Sequence, residues 1–208
     1  MIYKFKKLIF EKIITKAYTH NFIQKGPTPN GVFWNSQFSQ ELRFELSLKH
    51  VISKKEIVSI ADIGCGYGAL YNFIKKEKYK NLIYSGYDIN KKMIEFCKSN
   101  FPNCINFSIG NTTINKVDYC IFIGTFNLCF TDDYNFWENY IFENLFNNWK
   151  HCKKGIILNI STKFNGNIEN KIFYANENFE KRLLKKFGKV EKSQSKFIDN
   201  NSIYKIMR

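Results

Sequence analysis

The chain has 208 residues, enough to bury a full core, and we predict one domain over residues 1–208 because a second would have to be unusually small. Its 32 basic and 18 acidic residues give a net charge of +14, which admits a nucleic-acid partner. Arginine occurs only at positions 43, 182 and 208, however, whereas nucleic-acid recognition draws heavily on arginine. The abundance of lysine, asparagine, isoleucine and phenylalanine favours a compositional origin of the charge.

The cysteines and the N-terminal segment indicate the cellular compartment. The six cysteines lie mostly in apolar runs, and no two form the C-x-x-C pair that zinc sites favour. Near the start of the chain, Glu11 and Lys12 interrupt the apolar stretch well short of a signal sequence or a membrane span. We therefore expect a cytoplasmic protein with reduced thiols, no metal centre and no transmembrane segment.

The first fifty-odd residues predict two helices separated by a loop. Phe5, Ile9 and Ile13 have helical spacing with lysines between them, which is typical of an amphipathic helix. A membrane-surface helix has the same pattern, but we favour packing against the protein's own domain. The prolines and glycines of residues 26–31 predict a loop, and a second helix follows from Ser39 to about Ile52. We interpret residues 1–53 as a helical lid and substrate segment.

From residue 54 onward, strand and helix signals alternate. Helices are predicted after Gly68, after a cap at Asn90, from about Tyr134 to Lys150 with Asp132 or Asp133 as cap, and up to Gly188. Between them lie apolar strand-like runs, at Ile57–Ile63, Leu82–Asp88, Ile105–Ser108, Val117–Ile123 and Gly155–Ser161. Such repeats specify an α/β fold with a doubly wound, mostly parallel sheet.

The C-terminal tail has a different pattern. Two short strand-like pieces, Lys189–Phe197 and Ser202–Met207, are separated by the turn residues 199–201. This spacing permits a hairpin, and we therefore expect a C-terminal antiparallel strand to be added to the parallel sheet.

A glycine-rich loop lies where the first predicted strand ends and the next helix begins. Its sequence is Asp62-Ile-Gly64-Cys-Gly66-Tyr-Gly68. Glycines let the backbone turn tightly and approach a ligand without a Cβ in the way. Since ligands of open α/β sheets bind at the carboxyl ends of the strands, the loop is a candidate cofactor site.

The type of cofactor follows from the charge at this loop. Gly64, Gly66 and Ala69 also satisfy the G-x-G-x-x-G/A pattern of dinucleotide-binding proteins, with Asp88 as the acidic residue farther on. Asp62 discriminates between the two, because a carboxylate at this point would repel a pyrophosphate and attract a cationic amino-acid ligand. The charge therefore favours a sulfonium nucleoside.

The acid followed by G-x-G-x-G resembles the class I S-adenosylmethionine-dependent methyltransferase family, over about residues 57 to 208. The resemblance implies a Rossmann-like methyltransferase fold and S-adenosylmethionine as cofactor. It further implies that the loop holds the methionine part, that Asp88 binds the ribose hydroxyls, that Ile89 packs on adenine and that Asn111 binds the adenine amino group. The cofactor-binding candidates are Asp62, Gly64, Cys65, Gly66, Gly68, Asp88, Ile89, Asn111, Thr112 and Gly124.

Acceptor-binding residues are expected after the fourth strand and in the N-terminal segment. Residues 124–127, Gly-Thr-Phe-Asn, stand where the family lines its methyl-transfer channel, and they differ from the N/D-P-P-Y/F signature of enzymes that methylate adenine or glutamine amides. Residues 27–34 loosely resemble an N-terminal stretch of small bacterial methyltransferases, which implies a lid. The substrate candidates are Trp34, Arg43, Phe126 and Asn127.

The sequence supports more than one function. We favour methyl transfer to a nitrogen or oxygen of a small molecule, because nearly the whole chain is used by the core fold. The basic charge favours an RNA or protein methyltransferase as the alternative, and a non-catalytic nucleotide-binding protein with this fold is a third hypothesis. No catalytic residue is identified, although His20, His50, His151 and several tyrosines are candidate bases.

Overall fold

The computed structural model describes residues 2–104 and 106–208. Seven strands form one sheet in the order β3-β2-β1-β4-β5-β9-β8, and β6 and β7 form a separate hairpin. The strands are β1 (Val58–Ile63), β2 (Leu82–Asp88), β3 (Phe107–Ile109), β4 (Val117–Ile123), β5 (Cys152–Ser161), β6 (Asn167–Glu169), β7 (Ile172–Tyr174), β8 (Lys189–Ser193) and β9 (Asn201–Met207).

The first five strands are parallel, β9 runs antiparallel to β5, and β8 runs antiparallel to β9. The predicted fold class is therefore confirmed, including the antiparallel hairpin at the C-terminus. The helices are α1 (Ile2–Lys25), α2 (Gln37–Leu48), α3 (Ala69–Lys76), α4 (Lys91–Asn100), α5 (Tyr134–Trp149) and α6 (Glu177–Phe187), with a short 3-10 turn at Pro29–Val32.

Helices cover both faces of the sheet, and each face has its own apolar core. One core joins the sheet to α5 and α6 through Trp137, Leu145 and Phe179. The other joins it to α2, α3 and α4 through residues such as Leu48 and Leu70. The central strands are nearly continuous apolar runs because both of their faces are covered in this way.

Side-chain caps fix the starts of four helices. Asn90 caps α4 as the sequence predicts, and Asp133 is the residue that caps α5. The predicted second helix starts two residues too late, because the Ser36 hydroxyl accepts a hydrogen bond from the backbone N–H of Ser39 and lets α2 begin at Gln37. Asn176 caps α6 in the same way.

Several strand ends differ from the prediction. Strand β5 begins at Cys152 and passes through Gly155, where a Cβ would lie 2.0 Å from the Ile206 carbonyl oxygen of β9, so this glycine allows close strand packing and does not start the strand. The predicted strand at 105–108 begins with a residue outside the described ranges, and β3 starts at Phe107. Strand β8 ends at Ser193, well short of Phe197.

The hairpin of β6 and β7 was not predicted. Its turn is formed by Asn170 and Lys171, both with positive φ. The turn itself is Asn-Lys and not the Asn-Gly or Asp-Gly pair that usually marks such a hairpin, so the signal is weak. The hairpin is held by Phe173, which is fully buried and stacks on Tyr134 with ring centroids 4.8 Å apart.

Helix α1 packs against the protein through one face and exposes the opposite one. Phe10 is 5% exposed and contacts Phe136, Trp137 and Tyr140, with ring centroids 5.0 to 5.8 Å apart. Packing on its own domain, the favoured interpretation of this segment, is therefore confirmed for that face. Within the described ranges, no helix has the length and apolar character needed to cross a bilayer.

Candidate active site

A cleft lies at the carboxyl ends of the parallel strands, where the strand order reverses between β1 and β4. The loops after the strands form its floor, and α1 with the following loop forms its roof through Tyr18, Val32 and Trp34. The predicted residues that line it are Trp34, Asp62, Gly64, Cys65, Gly66, Asp88, Ile89, Asn111, Gly124 and Phe126. A cleft at this point is the usual ligand site of a doubly wound sheet.

The glycine loop follows β1 and is hydrogen-bonded to the end of β2. The backbone N–H groups of Gly64 and Cys65 both donate to the Tyr87 carbonyl oxygen, at 2.7 and 3.0 Å. The N–H of Gly66 donates to the Asp88 carboxylate at 2.8 Å. These bonds hold the loop in one conformation before any ligand is present, which lowers the entropic cost of binding.

Two glycines at the floor of the cleft are required by neighbouring protein groups. Gly64 and Gly124 have φ values of +83° and +70°, where a side chain is strained. A Cβ on Gly64 would lie 2.5 Å from Thr125 Cγ2, and one on Gly124 would lie 2.4 Å from the Trp34 ring. Close packing of Thr125 and Trp34 therefore explains the absence of side chains at these two positions.

Asp62 is a buried carboxylate in the cleft. It is 4% exposed and accepts a hydrogen bond from the Tyr84 hydroxyl at 2.8 Å. Burial raises the pKa of Asp62 to about 7; the Tyr84 hydrogen bond opposes this shift, and the nearby Asp88 carboxylate adds to it. Among the described residues, no basic side chain forms an ion pair with Asp62, so a cationic ligand group would supply the missing counter-charge.

Asp88 ends β2 and faces the same cleft. Its two carboxylate oxygens accept backbone hydrogen bonds from Gly66 and Asn90, both at 2.8 Å. Burial raises the pKa of Asp88, while these two hydrogen bonds work in the opposite direction. Each oxygen has a second lone pair, so Asp88 keeps the capacity to accept from the hydroxyls of a ligand.

Asn111, the candidate for adenine recognition, contacts α1. Its Nδ2 donates to Glu11 Oε1 at 3.2 Å, and the Tyr140 hydroxyl donates to the same oxygen at 3.1 Å. Asn90 ties α1 to the next loop, since its Nδ2 donates to the Thr15 carbonyl oxygen at 3.2 Å. Helix α1 is thus bonded to the loops after β2 and β3, where the nucleoside end of a cofactor would lie.

The other end of the cleft is mainly aromatic. The Trp34 ring lies over Gly124, and Tyr67 donates a hydrogen bond to Gln40 Oε1 at 3.1 Å. Phe126 is 3% exposed and stacks on Phe122, so most of its ring belongs to the core. These residues form an apolar wall with a few polar groups, which is typical of a small-molecule site.

Four predicted site residues lie outside the lining of the cleft. Gly68 caps α3 in the left-handed conformation, and the Thr112 hydroxyl contacts the neighbouring Asn111 side chain. Arg43 lies over the Trp34 ring, 5.2 Å from its centre, and donates to the Ser39 carbonyl oxygen. Asn127 accepts a hydrogen bond from the Ser161 N–H. Each of the four makes a contact within the protein, and their roles in binding stay predictions.

Sequence reasoning did not find several residues of the cleft. Tyr18 and Thr15 come from α1, far from the motif, so only the packing of that helix reveals them. Thr125 belongs to residues 124–127, which the sequence predicts to lie beside the acceptor, so its position could have revealed it. Its hydroxyl donates to the Ile63 carbonyl oxygen at 2.7 Å. No histidine is among the described residues that line the cleft: His50, for example, contacts Ser193 in β8.

No family model matches the sequence, and no curated protein matches it. Solved structures do match. A SAM-dependent methyltransferase from Leishmania major is 12% identical, with a TM-score of 0.62 over 94% of this chain and 83% of the other. Magnesium protoporphyrin IX methyltransferase from Synechocystis, with bound SAH, is 15% identical, with a TM-score of 0.56 over 82% and 83%.

An O-methyltransferase family protein from Burkholderia thailandensis is 10% identical, with a TM-score of 0.59 over 83% of this chain and 56% of the other. At identities this low, the structural matches establish the fold alone, and the reaction has to be argued from the site. The order of the seven strands and the position of the cleft agree with the fold that these matches indicate. The chain therefore has the fold of the class I S-adenosylmethionine-dependent methyltransferases.

Proposed function

We propose that this protein is an S-adenosylmethionine-dependent methyltransferase that acts on a small molecule. The observation that carries the proposal is Asp62, a buried carboxylate at the glycine loop without a basic partner among the described residues. A charged carboxylate in such a place is costly unless a cation joins it. The cationic amino-acid end of S-adenosylmethionine would meet this requirement, whereas the pyrophosphate of NAD would face Asp62 and Asp88 together.

The residues of the cleft fit the parts of such a cofactor. Asp62 and the loop Gly64–Gly66 would hold the amino-acid end, Asp88 the ribose hydroxyls, and Ile89 with Asn111 the adenine. Bound there, S-adenosylmethionine would supply a methyl group on an electrophilic sulfonium. The cofactor's identity and the role of each residue are inferred from the chemistry of these groups and from the fold.

The chain's own contribution to the reaction would be alignment and exclusion of water. Trp34 and Tyr67 would position the acceptor at the aromatic end of the cleft. Helix α1 would close the nucleoside end from solvent. We propose that residues 1–53 form a lid that also contributes Trp34 to the acceptor pocket, and that residues 54–208 form the cofactor-binding core. Because all six cysteines are free and buried, we also propose a cytoplasmic location.

Titration calorimetry with S-adenosylmethionine and with NAD tests the proposal. We expect binding of S-adenosylmethionine and a loss of at least about tenfold in its affinity on Asp88→Asn, since the amide keeps only one acceptor oxygen. Asp118→Asn is the matched control, because Asp118 bonds to Ser59 at the opposite end of β1. Binding of NAD without binding of S-adenosylmethionine would contradict the proposal.

The second candidate is an RNA or protein methyltransferase, favoured by the net charge of +14. A structure with S-adenosylhomocysteine separates the two, because the space beyond the sulfur shows the size of the acceptor. An enclosed apolar space bounded by Trp34 and Tyr67 supports a small molecule. A wide basic groove supports a macromolecule.

A further inference from the structure

The outward face of α1 carries several large apolar side chains. Phe5, Leu8, Ile9 and Ile13 are 66%, 59%, 44% and 48% exposed, at the i, i+3, i+4 and i+8 positions of one face. Ile23, 66% exposed, follows Phe5 by eighteen residues, which is five helical turns and therefore the same side. A row of large apolar side chains in water is unusual for a surface helix that already has a buried face.

The charge on this outward face has one sign. Lys12 and Lys16 are exposed among the apolar side chains. Glu11 is the acidic residue of the helix, and its carboxylate turns inward to accept hydrogen bonds from Asn111 and Tyr140. The outward face therefore offers apolar groups and cations without a neighbouring anion of its own helix.

We propose that the outward face of α1 docks the protein onto an anionic lipid bilayer. Helices that lie in a membrane interface combine large apolar side chains with lysines in this way. The apolar side chains would enter the headgroup region, and the lysine stems would extend along them to place the ammonium groups against lipid phosphates. This docking is independent of the proposed reaction.

Other partners fit the face less well. In a symmetric dimer formed through this face, Lys12 and Lys16 of the two copies would lie close together and repel each other. RNA phosphates would pair with the lysines but would leave Phe5, Leu8 and Ile9 in water. An anionic bilayer satisfies both kinds of group at once.

Docking would also place the candidate active site near the membrane. The inner side of the same helix lines the cleft with Ile14 and Tyr18. A helix is roughly 10 Å across, so the cleft would lie about that distance from the lipid surface.

Co-sedimentation of the full chain with vesicles tests the apolar part of the surface. The vesicles contain phosphatidylcholine and phosphatidylglycerol in a three to one ratio. We expect the wild type to bind. The triple variant Phe5→Ser, Ile9→Ser and Ile13→Ser should have an affinity for the vesicles that is lower by about tenfold or more. The matched control removes three apolar side chains elsewhere that are more exposed than these, and it should bind as the wild type does: Ile114→Ser, Phe164→Ser and Phe197→Ser. Unchanged melting temperatures verify that both variants fold.

The charged part is tested with Lys12→Gln and Lys16→Gln together. We expect a loss on the order of tenfold on the anionic vesicles and a smaller change on pure phosphatidylcholine. Lys54→Gln with Lys55→Gln, on an exposed loop, is the control. Three results overturn the proposal: no binding of the wild type to anionic vesicles, binding that the apolar triple variant retains, or a dimer in sedimentation velocity that the triple variant abolishes. A surface that binds RNA but not vesicles overturns it as well.

Discussion

Burial of the Asp62 carboxylate lowers the stability of the ligand-free protein at neutral pH, and the same carboxylate is proposed to bind the cofactor. Its folded pKa of about 7 lies above the usual value of 3.8 for an aspartate, because burial disfavours the charged form. A raised pKa contributes stability that is present below the unfolded pKa and is lost as the pH rises through the folded pKa. The free energy of unfolding should therefore fall between pH about 4 and 7.

We predict that Asp62→Asn removes this fall and raises the melting temperature of the ligand-free protein above pH 7, measured by circular dichroism. The same substitution should weaken S-adenosylmethionine binding by about tenfold or more, since the counter-charge is lost. Binding to the wild type should strengthen as the pH rises through about 7. Equal binding by both proteins at pH 8 would contradict the role proposed for Asp62.

Asp118 provides a control with the opposite sign. Burial opposes the shift, yet hydrogen bonds from the Ser59 N–H and hydroxyl lower the pKa of Asp118. Its contribution to stability is therefore present above the unfolded pKa and is lost as the pH falls. Asp118→Asn should reduce stability at neutral pH and leave the pH dependence of cofactor binding unchanged.

At the scale of an element, α1 is attached to the protein by two buried aromatic side chains, Phe10 in its first half and Phe22 near its end, and by several polar contacts. Phe10 enters the core beside Phe136, Trp137 and Tyr140. Removing a buried phenylalanine side chain costs roughly 3 to 5 kcal/mol. We predict that Phe10→Ala releases the first half of α1, while Phe22 holds the end of the helix and the sheet stays folded. Hydrogen exchange should then lose protection in the first half of α1 and keep it in β1.

Phe5→Ala is the matched control for this prediction. Phe5 lies on the same helix but is 66% exposed, so its removal should leave the protection of α1 unchanged. Loss of protection throughout the sheet on Phe10→Ala would show instead that α1 and the sheet unfold as one cooperative unit. Equal protection in both variants would show that Phe22 and the polar contacts with Asn90 and Asn111 suffice to hold the helix.

The elements that the sequence predicts well have strong local signals. Strands β1 and β4 are buried on both faces and therefore appear as apolar runs, and the cap at Asn90 is a local hydrogen bond. The β6–β7 hairpin depends on the distant packing of Phe173 and has an atypical turn, so it has no such signal. Local patterns specify elements, whereas pairing between distant segments appears only in the folded chain.

The same limit applies to the candidate site. The floor of the cleft is formed by loops that come directly after predicted strands, which is why Asp62, Gly66 and Asp88 could be placed together. The roof depends on how α1 crosses those loops, so Tyr18 could not be predicted. Asn127 follows a strand as well, but its side chain is used to hold the Ser161 N–H. A position in sequence therefore locates a residue without fixing the direction of its side chain.

At the scale of the whole molecule, nearly all of the 32 basic residues are lysines, and some of them are paired with acidic side chains. Lys6 bonds to Asp133 at 2.7 Å and Lys7 to Glu143 at 2.8 Å, for example. Ion pairs between exposed groups are weak, but they reduce the field that a distant phosphate chain would experience. A diffuse lysine surface therefore predicts weak binding of nucleic acid that depends on salt.

We predict that any binding of an unstructured RNA, measured by fluorescence anisotropy, falls by orders of magnitude between low and physiological salt. Such a fall indicates counterion release without a specific site, as expected for an enzyme whose acceptor is a small molecule. The matched measurement follows methyl transfer from labelled S-adenosylmethionine to bulk RNA. Saturable RNA binding at physiological salt together with labelled RNA would contradict the small-molecule proposal, because only specific contacts in the acceptor pocket persist when phosphate attraction is screened.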